Sequence, residues 1–222
     1  MNNPLNHNIP QADERQHDET LLNLPPLTGD NPLMLFEEWF QAAKTTEPSD
    51  ANAMSLATID KQGMPNVRIL LLKDYNEQGF TFFTNYNSQK GQELAIHPQA
   101  ALCFHWKTQL KQVRIQGIVV KTDDALADSY FYSRARQSQI GSWVSQQSDK
   151  LTTRDEMVES YHDYCEKFSD TEVIPRPDYW GGYCLVPHRI EFWRNGAYRL
   201  HDRLVFTRAN ADSAWETHLI YP

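Results

Sequence analysis

Residues 191–203 read Glu-Phe-Trp-Arg-Asn-Gly-Ala-Tyr-Arg-Leu-His-Asp-Arg. Asn195-Gly196 is a strong β-hairpin signal, because both residues tolerate the positive φ that a tight two-residue turn needs. The expectation is a hairpin whose second strand runs over about 198–208. Side chains alternate across a strand, so Arg199, His201 and Arg203 should project from one face. Two guanidiniums flanking an imidazole suit an anion, since arginine donates in a rigid fork. A solvated edge-strand face would carry the same residues. Turn length decides the partner of Trp193: a two-residue turn pairs it with Tyr198, and a three-residue loop through Ala197 pairs it with Arg199.

Outward from this hairpin, β signals dominate. Strands are expected over 53–60, 66–73, 80–85, 100–106 and 111–121, with a last one near Trp215, and the turns between them are mostly short. Helical periodicity starts near Pro32, with Leu33, Phe36, Trp39 and Phe40 on one face and Asp30 or Asn31 as cap. Asn87 or Ser88 can cap a short helix that stops before Pro98. A further helix follows Asp123-Asp124, and the capping box Thr153-Arg-Asp-Glu156 starts another that reaches about Phe168. No βαβ alternation is present, so the fold class expected is mainly β with peripheral helices: an antiparallel barrel or sandwich.

The 222 residues fit one domain, over 31–222, preceded by a polar, Pro-containing arm over 1–30 that lacks periodicity. Residues 1–50 hold nine acids and two bases, while the rest hold 20 acids and 19 bases. The acidity thus sits near the N-terminus and the body is close to neutral, which disfavours nucleic acid or anionic lipid as a partner. No run reaches membrane-spanning length and the first thirty residues lack an apolar signal core, so a cytoplasmic protein is expected. Cys103, Cys165 and Cys184 form no Cys-x-x-Cys and are read as small hydrophobes, with no metal site. Neither a Walker loop, a Gly-x-Ser-x-Gly elbow nor a Gly-x-Gly-x-x-Gly turn occurs.

Against a neutral background, local cation clusters carry the functional signal. Arg68-Ile-Leu-Leu-Leu-Lys73 brackets four aliphatics with two cations; the apolar run reads as a buried strand, where unpaired charge is costly. A phosphate would serve both cations, although their five-residue offset puts them on opposite faces of a regular strand unless it bulges. Residues 84–90, Thr-Asn-Tyr-Asn-Ser-Gln-Lys, run from a strand end into a helix start, where free N–H groups favour an anion and Thr84, Ser88 and Lys90 add donors. An ordinary N-cap explains the same residues. Tyr130, Arg134 and Ser138, spaced by four, would share one helical face as a phosphate cradle or as a plain solvated face.

Together these segments resemble the pyridoxamine 5′-phosphate oxidase family of FMN-binding split barrels. The resemblance covers about residues 30–222 in order. Besides the stretches quoted, it is carried by Phe83-Thr-Asn85, Ser138-Gln-Ile-Gly141, Trp180-Gly-Gly182 and Glu191-Phe-Trp193. It implies a homodimer with FMN at the subunit interface. It further implies oxidation of pyridoxine or pyridoxamine 5′-phosphate to pyridoxal 5′-phosphate, with oxygen as acceptor and release of hydrogen peroxide, and of ammonia from the amine. By the same resemblance, Arg68, Ile69, Lys73, Phe83, Thr84, Ser88, Gln89, Lys90, Gln112, Gln147, Ser148, Trp193 and Arg203 would contact FMN. Lys73, Tyr130, Arg134 and Ser138 would hold the substrate phosphate, and Arg199 and His201 would cover the substrate ring as catalytic residues. Gln89 and Leu219 stand where the family usually has arginine, and the acidic arm lacks the family's usual Arg-Arg-x-Tyr lid. The alternatives are a flavin oxidase of the phenazine-pathway type and a split barrel that binds flavin or haem without turnover.

Overall fold

A computed structural model describes residues 18–222. Nine strands form one sheet with the order β2-β1-β5-β6-β7-β4-β3, all neighbours antiparallel. They are β1 (Ala53–Ile59), β2 (Pro65–Leu71), β3 (Asp74–Asn76), β4 (Gly79–Asn85), β5 (Gln99–Trp106), β6 (Lys111–Lys121), β7 (Trp180–Arg194), β8 (Asp202–Thr207) and β9 (Glu216–Leu219). The first half of β7 pairs with β4 and its second half with β8, which in turn pairs with β9. The sheet curls into a half-barrel. The two end strands of this order, β2 and β3, are consecutive in the chain: at the step between them Leu72 N–H donates to Asn52 O beside β1 and Lys73 N–H to Thr81 O in β4, both at 2.9 Å. This is the expected antiparallel split barrel.

Among the described residues five α-helices decorate it: α1 (Pro32–Thr46), α2 (Gln89–Ile96), α3 (Asp124–Ser133), α4 (Arg136–Val144) and α5 (Arg154–Lys167). Their starts follow capping chemistry. Asn31 accepts from the Leu33 and Met34 N–H groups ahead of Pro32, Ser88 caps α2, and Thr153 accepts from Glu156 N–H. The apolar stripe of α1 plugs the barrel. Phe36 is fully buried and packs edge-on against Tyr75, Phe80 and Phe104, while Trp39 meets Phe192. Truncating such a ring costs about 3–5 kcal/mol. A smaller cluster of Ile140, Phe168 and Ile174 joins α4 to α5.

Three sequence expectations are corrected. The 191–203 stretch is not a tight hairpin: β7 runs to Arg194, residues 195–201 form a loop with a 3-10 turn at Ala197–Arg199, and β8 starts only at Asp202. Trp193 therefore pairs with Arg203, not with Tyr198 or Arg199. The 66–73 run is not buried on both faces. β2 is an edge strand, so Val67 and Ile69 are 70% and 65% exposed while Asn66, Arg68 and Leu70 turn inward. Tyr130, Arg134 and Ser138 do not share one helix, because α3 ends at Ser133 and α4 begins at Arg136. The arm expected over 1–30 is placed only in part, its first 17 residues lying outside the described ones. Residues 18–30 rest on the body: Leu27 is buried, and Arg194 donates to Pro25 O at 2.7 Å.

Candidate active site

The strand end of β4, the start of α2 and the inward face of β2 converge on a buried ammonium. Lys90 is 5% exposed, and its Nζ donates to Thr84 Oγ1 at 3.2 Å, Ser88 Oγ at 3.0 Å and Gln147 Oε1 at 3.0 Å. All three partners are neutral. Burial first, then the charge of Arg68, pushes the Lys90 pKa down to about 8, with Glu93 pulling the other way. Arg68 is itself held by Glu93 at 3.2 Å and by Thr58. Burial raises the Glu93 pKa, but hydrogen bonds from Thr58, Gln89 and Asn66 and the Arg68 charge outweigh it, so the net shift is downward. The cluster thus contains two cations and one carboxylate, an excess of positive charge beside the N-terminus of α2. Gln89 turns to Glu93 Oε1 at 2.9 Å.

Two clefts of about 340 Å³ each open on this cluster, and they share Leu70 and Gln147. One is lined by Arg68, Ile69, Gln89, Lys90 and Ser148. Ser148 has φ +78, a left-handed conformation that a loop must hold against strain. The second is lined by Phe83, Thr84, Arg134, Ser138 and Trp180. The break between α3 and α4 delivers Arg134 here: its guanidinium lies 4.9 Å over the Trp180 ring and donates to Ser142 Oγ at 2.7 Å. Tyr130 stacks on Phe83 at 4.2 Å, and the Lys73 ammonium sits 5.5 Å over the Tyr130 ring. The helix face expected for Tyr130, Arg134 and Ser138 is therefore not formed: Arg134, between the two helices, and Ser138, on α4, line the cleft, while Tyr130 lines neither cleft and stacks on Phe83 behind it.

The remaining candidates form a separate group. Register places Gln112, Trp193 and Arg203 side by side across β6, β7 and β8. Arg203 is engaged by the buried carboxylate of Glu191, a residue the sequence reading did not single out although it opens the Glu-Phe-Trp motif. His201 packs on Trp193 with 4.6 Å between ring centroids, and its Nδ1 accepts from Gly196 N–H at 3.2 Å, which puts the neutral ring's proton on Nε2. Burial, then Arg199 and Arg203, lowers its pKa. Arg199 is exposed at φ +65. None of Gln112, Trp193, Arg199, His201 or Arg203 lines either cleft. Within one chain, the two clefts and the Trp193 group are separate clusters of candidate residues.

A phosphate fits the cleft at Lys90 by its donor set: a buried ammonium with only neutral partners, a second cation, two hydroxyls and a helix start. Among the described residues no group of three or more His, Cys, Asp or Glu is placed to hold a metal, and no helix is long and apolar enough to cross a membrane.

Comparison with known proteins agrees with this picture. The family model for pyridoxamine 5′-phosphate oxidase matches residues 40–161, and that for the pyridoxine 5′-phosphate oxidase C-terminal dimerisation region matches residues 180–222. Pyridoxine/pyridoxamine 5′-phosphate oxidases of Brucella anthropi, Pelagibacter ubique and Hyphomonas neptunium are 49%, 46% and 51% identical to this chain. The alignments cover 86%, 86% and 87% of this chain, and 94%, 92% and 88% of those proteins. Among solved structures, PhzG from Burkholderia lata in complex with tetrahydrophenazine-1-carboxylic acid superposes with a TM-score of 0.81 at 27% identity, over 87% of this chain and 94% of that one. A pyridoxamine 5′-phosphate oxidase-related, FMN-binding protein of Nostoc punctiforme shares the fold with a TM-score of 0.68 at 16% identity, over 88% of this chain and all of that one.

Proposed function

The chain belongs to the pyridoxamine 5′-phosphate oxidase family of oxidoreductases, and from that premise we propose that it converts pyridoxine 5′-phosphate or pyridoxamine 5′-phosphate to pyridoxal 5′-phosphate. FMN is its cofactor and oxygen its acceptor, and it works as a cytoplasmic homodimer. The observation that carries this reading is the pair of adjoining, cation-lined clefts, one at Lys90 and Arg68 and the other at Arg134 and Ser138. Two phosphate-bearing molecules, cofactor and substrate, need two such sites close together.

In this reading Lys90, Arg68, Thr84 and Ser88 hold the FMN phosphate, with Ile69, Phe83, Gln89, Gln147 and Ser148 lining its path. Gln89 offers an amide where a guanidinium would add charge, which weakens that end of the site. Lys73, Tyr130, Arg134 and Ser138 take the substrate phosphate. Gln112, Trp193 and Arg203 of a second copy complete the flavin site, which the separation of the clefts from the Trp193 group in one chain favours. Arg199 and His201 then lie over the substrate ring, where an exposed guanidinium orients it and opposes developing negative charge. The His201 ring, held neutral and packed on Trp193, excludes water and keeps an Nε2 proton available. Bound FMN would supply the hydride acceptor and, on reoxidation, the hydrogen peroxide.

The test is aerobic turnover of purified protein with FMN and pyridoxine 5′-phosphate, following pyridoxal 5′-phosphate and hydrogen peroxide together, with Arg199→Ala in parallel. Both products should appear, and Arg199→Ala should lower kcat by about 10²-fold while changing FMN affinity by less than about threefold. Flavin binding without either product would move the chain to the phenazine-type or carrier reading. Unchanged turnover in Arg199→Ala would remove that residue from the reaction.

A further inference from the structure

Glu191 is 1% exposed and sits at the hub of three arginines on one face of the sheet. Arg203 Nε and Nη2 both donate to its Oε1, at 2.9 and 2.7 Å. Arg189 Nη2 donates to Oε2 at 2.8 Å, and Arg114 Nη2 binds the same oxygen. The arrangement is written into the register. Glu191 faces Arg114 across the β6–β7 ladder, and Trp193, two residues on and so on the same face, faces both Gln112 and Arg203. The third contact of Arg203, Nη1 to Tyr221 O at 3.0 Å, comes from the end of the chain. With three of its five N–H bonds committed in this way, the Arg203 guanidinium has one orientation, and the N–H bonds left over are aimed by Glu191.

The hub is also unbalanced. Three guanidiniums surround one carboxylate, and the buried Nε of Arg114 has no hydrogen-bond partner among the described residues. Without Glu191, three like charges would crowd the face that carries Gln112 and Trp193. We infer that Glu191 is a positioning residue for the flavin site: it fixes the Arg203 guanidinium beside Trp193 and neutralises the arginine cluster, so that Arg203 meets its ligand ready-oriented. The inference rests on the reading that Arg203 contacts FMN.

A double-mutant cycle separates the two ideas. FMN affinity of the apo-protein is read by quenching of flavin fluorescence for the unmodified chain, Arg203→Ala, Glu191→Gln and the double variant, with thermal unfolding of each apo-protein as a check on folding. Arg203→Ala should weaken FMN at least about tenfold and Glu191→Gln at least about fivefold, and the double variant should lie within about twofold of Arg203→Ala alone. A residue that only stabilises the fold would instead multiply its effect onto Arg203→Ala, and that result would overturn the inference. So would a Glu191→Gln affinity within about twofold of the unmodified chain while Arg203→Ala is weakened. If Arg203→Ala itself leaves affinity unchanged, the FMN role of Arg203 fails, and the inference with it. Should Glu191→Gln not fold, Glu191→Asp takes its place; it keeps the charge, draws it back by one methylene and should show the same dependence on Arg203. Failure of both variants to fold would mark Glu191 as structural and overturn the inference.

Discussion

At the scale of single residues, Lys90 carries the sharpest consequence. Its ammonium is buried among neutral oxygens beside Arg68, and its pKa is held down to about 8. A bound phosphate supplies the missing counter-charge and raises that pKa again, so binding and protonation are linked. Between pH 7 and 9.5, FMN affinity should fall as pH rises through 8, by up to about tenfold per pH unit, as titration by fluorescence would read. Lys90→Met should bind FMN at least about tenfold more weakly and lose this slope. The sign for folding of the apo-protein is the reverse. The folded-state pKa lies below the ordinary 10.5, so the cost of burying the charge is fully present below pH 8 and is relieved as pH rises from 8 towards 10.5. In the sequence, Lys90 stands out as a donor near a helix start. Its burial and the neutrality of its partners depend on Gln147, 57 residues away, which no local pattern brings to it.

At the scale of elements, two corrections share one cause. The Asn195-Gly196 dipeptide promised a tight hairpin, and the Tyr130/Arg134/Ser138 spacing promised one helix. Tertiary contacts overrode both. The 195–201 loop holds Tyr198 and Arg199 at φ +53 and +65, a conformation that costs non-glycine residues roughly 1–2 kcal/mol each. It is held by His201 Nδ1 accepting from Gly196 N–H and by Tyr198 donating to Glu19 Oε1 at 2.8 Å. Gly196 is where the loop closes: a Cβ there would lie 2.0 Å from the Leu200 carbonyl oxygen. Gly196→Ala should therefore displace the loop that carries Arg199 and His201. The expected outcome is a loss of about 1–3 kcal/mol in unfolding free energy and a fall in kcat out of proportion to it, measured by thermal unfolding and steady-state kinetics. Unchanged values for both would show that the loop tolerates the methyl group and does not depend on this closure. The capping signals at Asn31, Ser88 and Thr153, by contrast, were legible because a cap is completed within four residues.

At the scale of the whole molecule, the separation of the clefts from the Trp193 group within one chain favours the proposed composite site, and mixing tests it. Lys90→Met and Arg203→Ala each damage a different half. If the site spans two copies of the chain, a mixed dimer contains one intact site, so mixing the two variants under exchange should restore about a quarter of the unmodified sites and turnover. No restoration would mean that each chain builds its site alone. The bare apolar side of β2, with Val67 and Ile69 exposed, is cover that such an assembly would use. The sequence by itself determined the antiparallel, mainly β architecture, the helix starts and the family, because these follow from periodicity, capping and motifs read in order over short spans. Only the tertiary structure decided the partners: that β2 is an edge strand with one bare face, that Arg68 meets Glu93, that Arg134 leaves its helix to lie on Trp180, and that Glu191 gathers three arginines. Arg68 with Glu93, Arg134 with Trp180 and Glu191 with Arg114 join residues far apart along the chain, and such pairings, like the edge position of β2, are set by how the sheet curls, which no local stretch encodes.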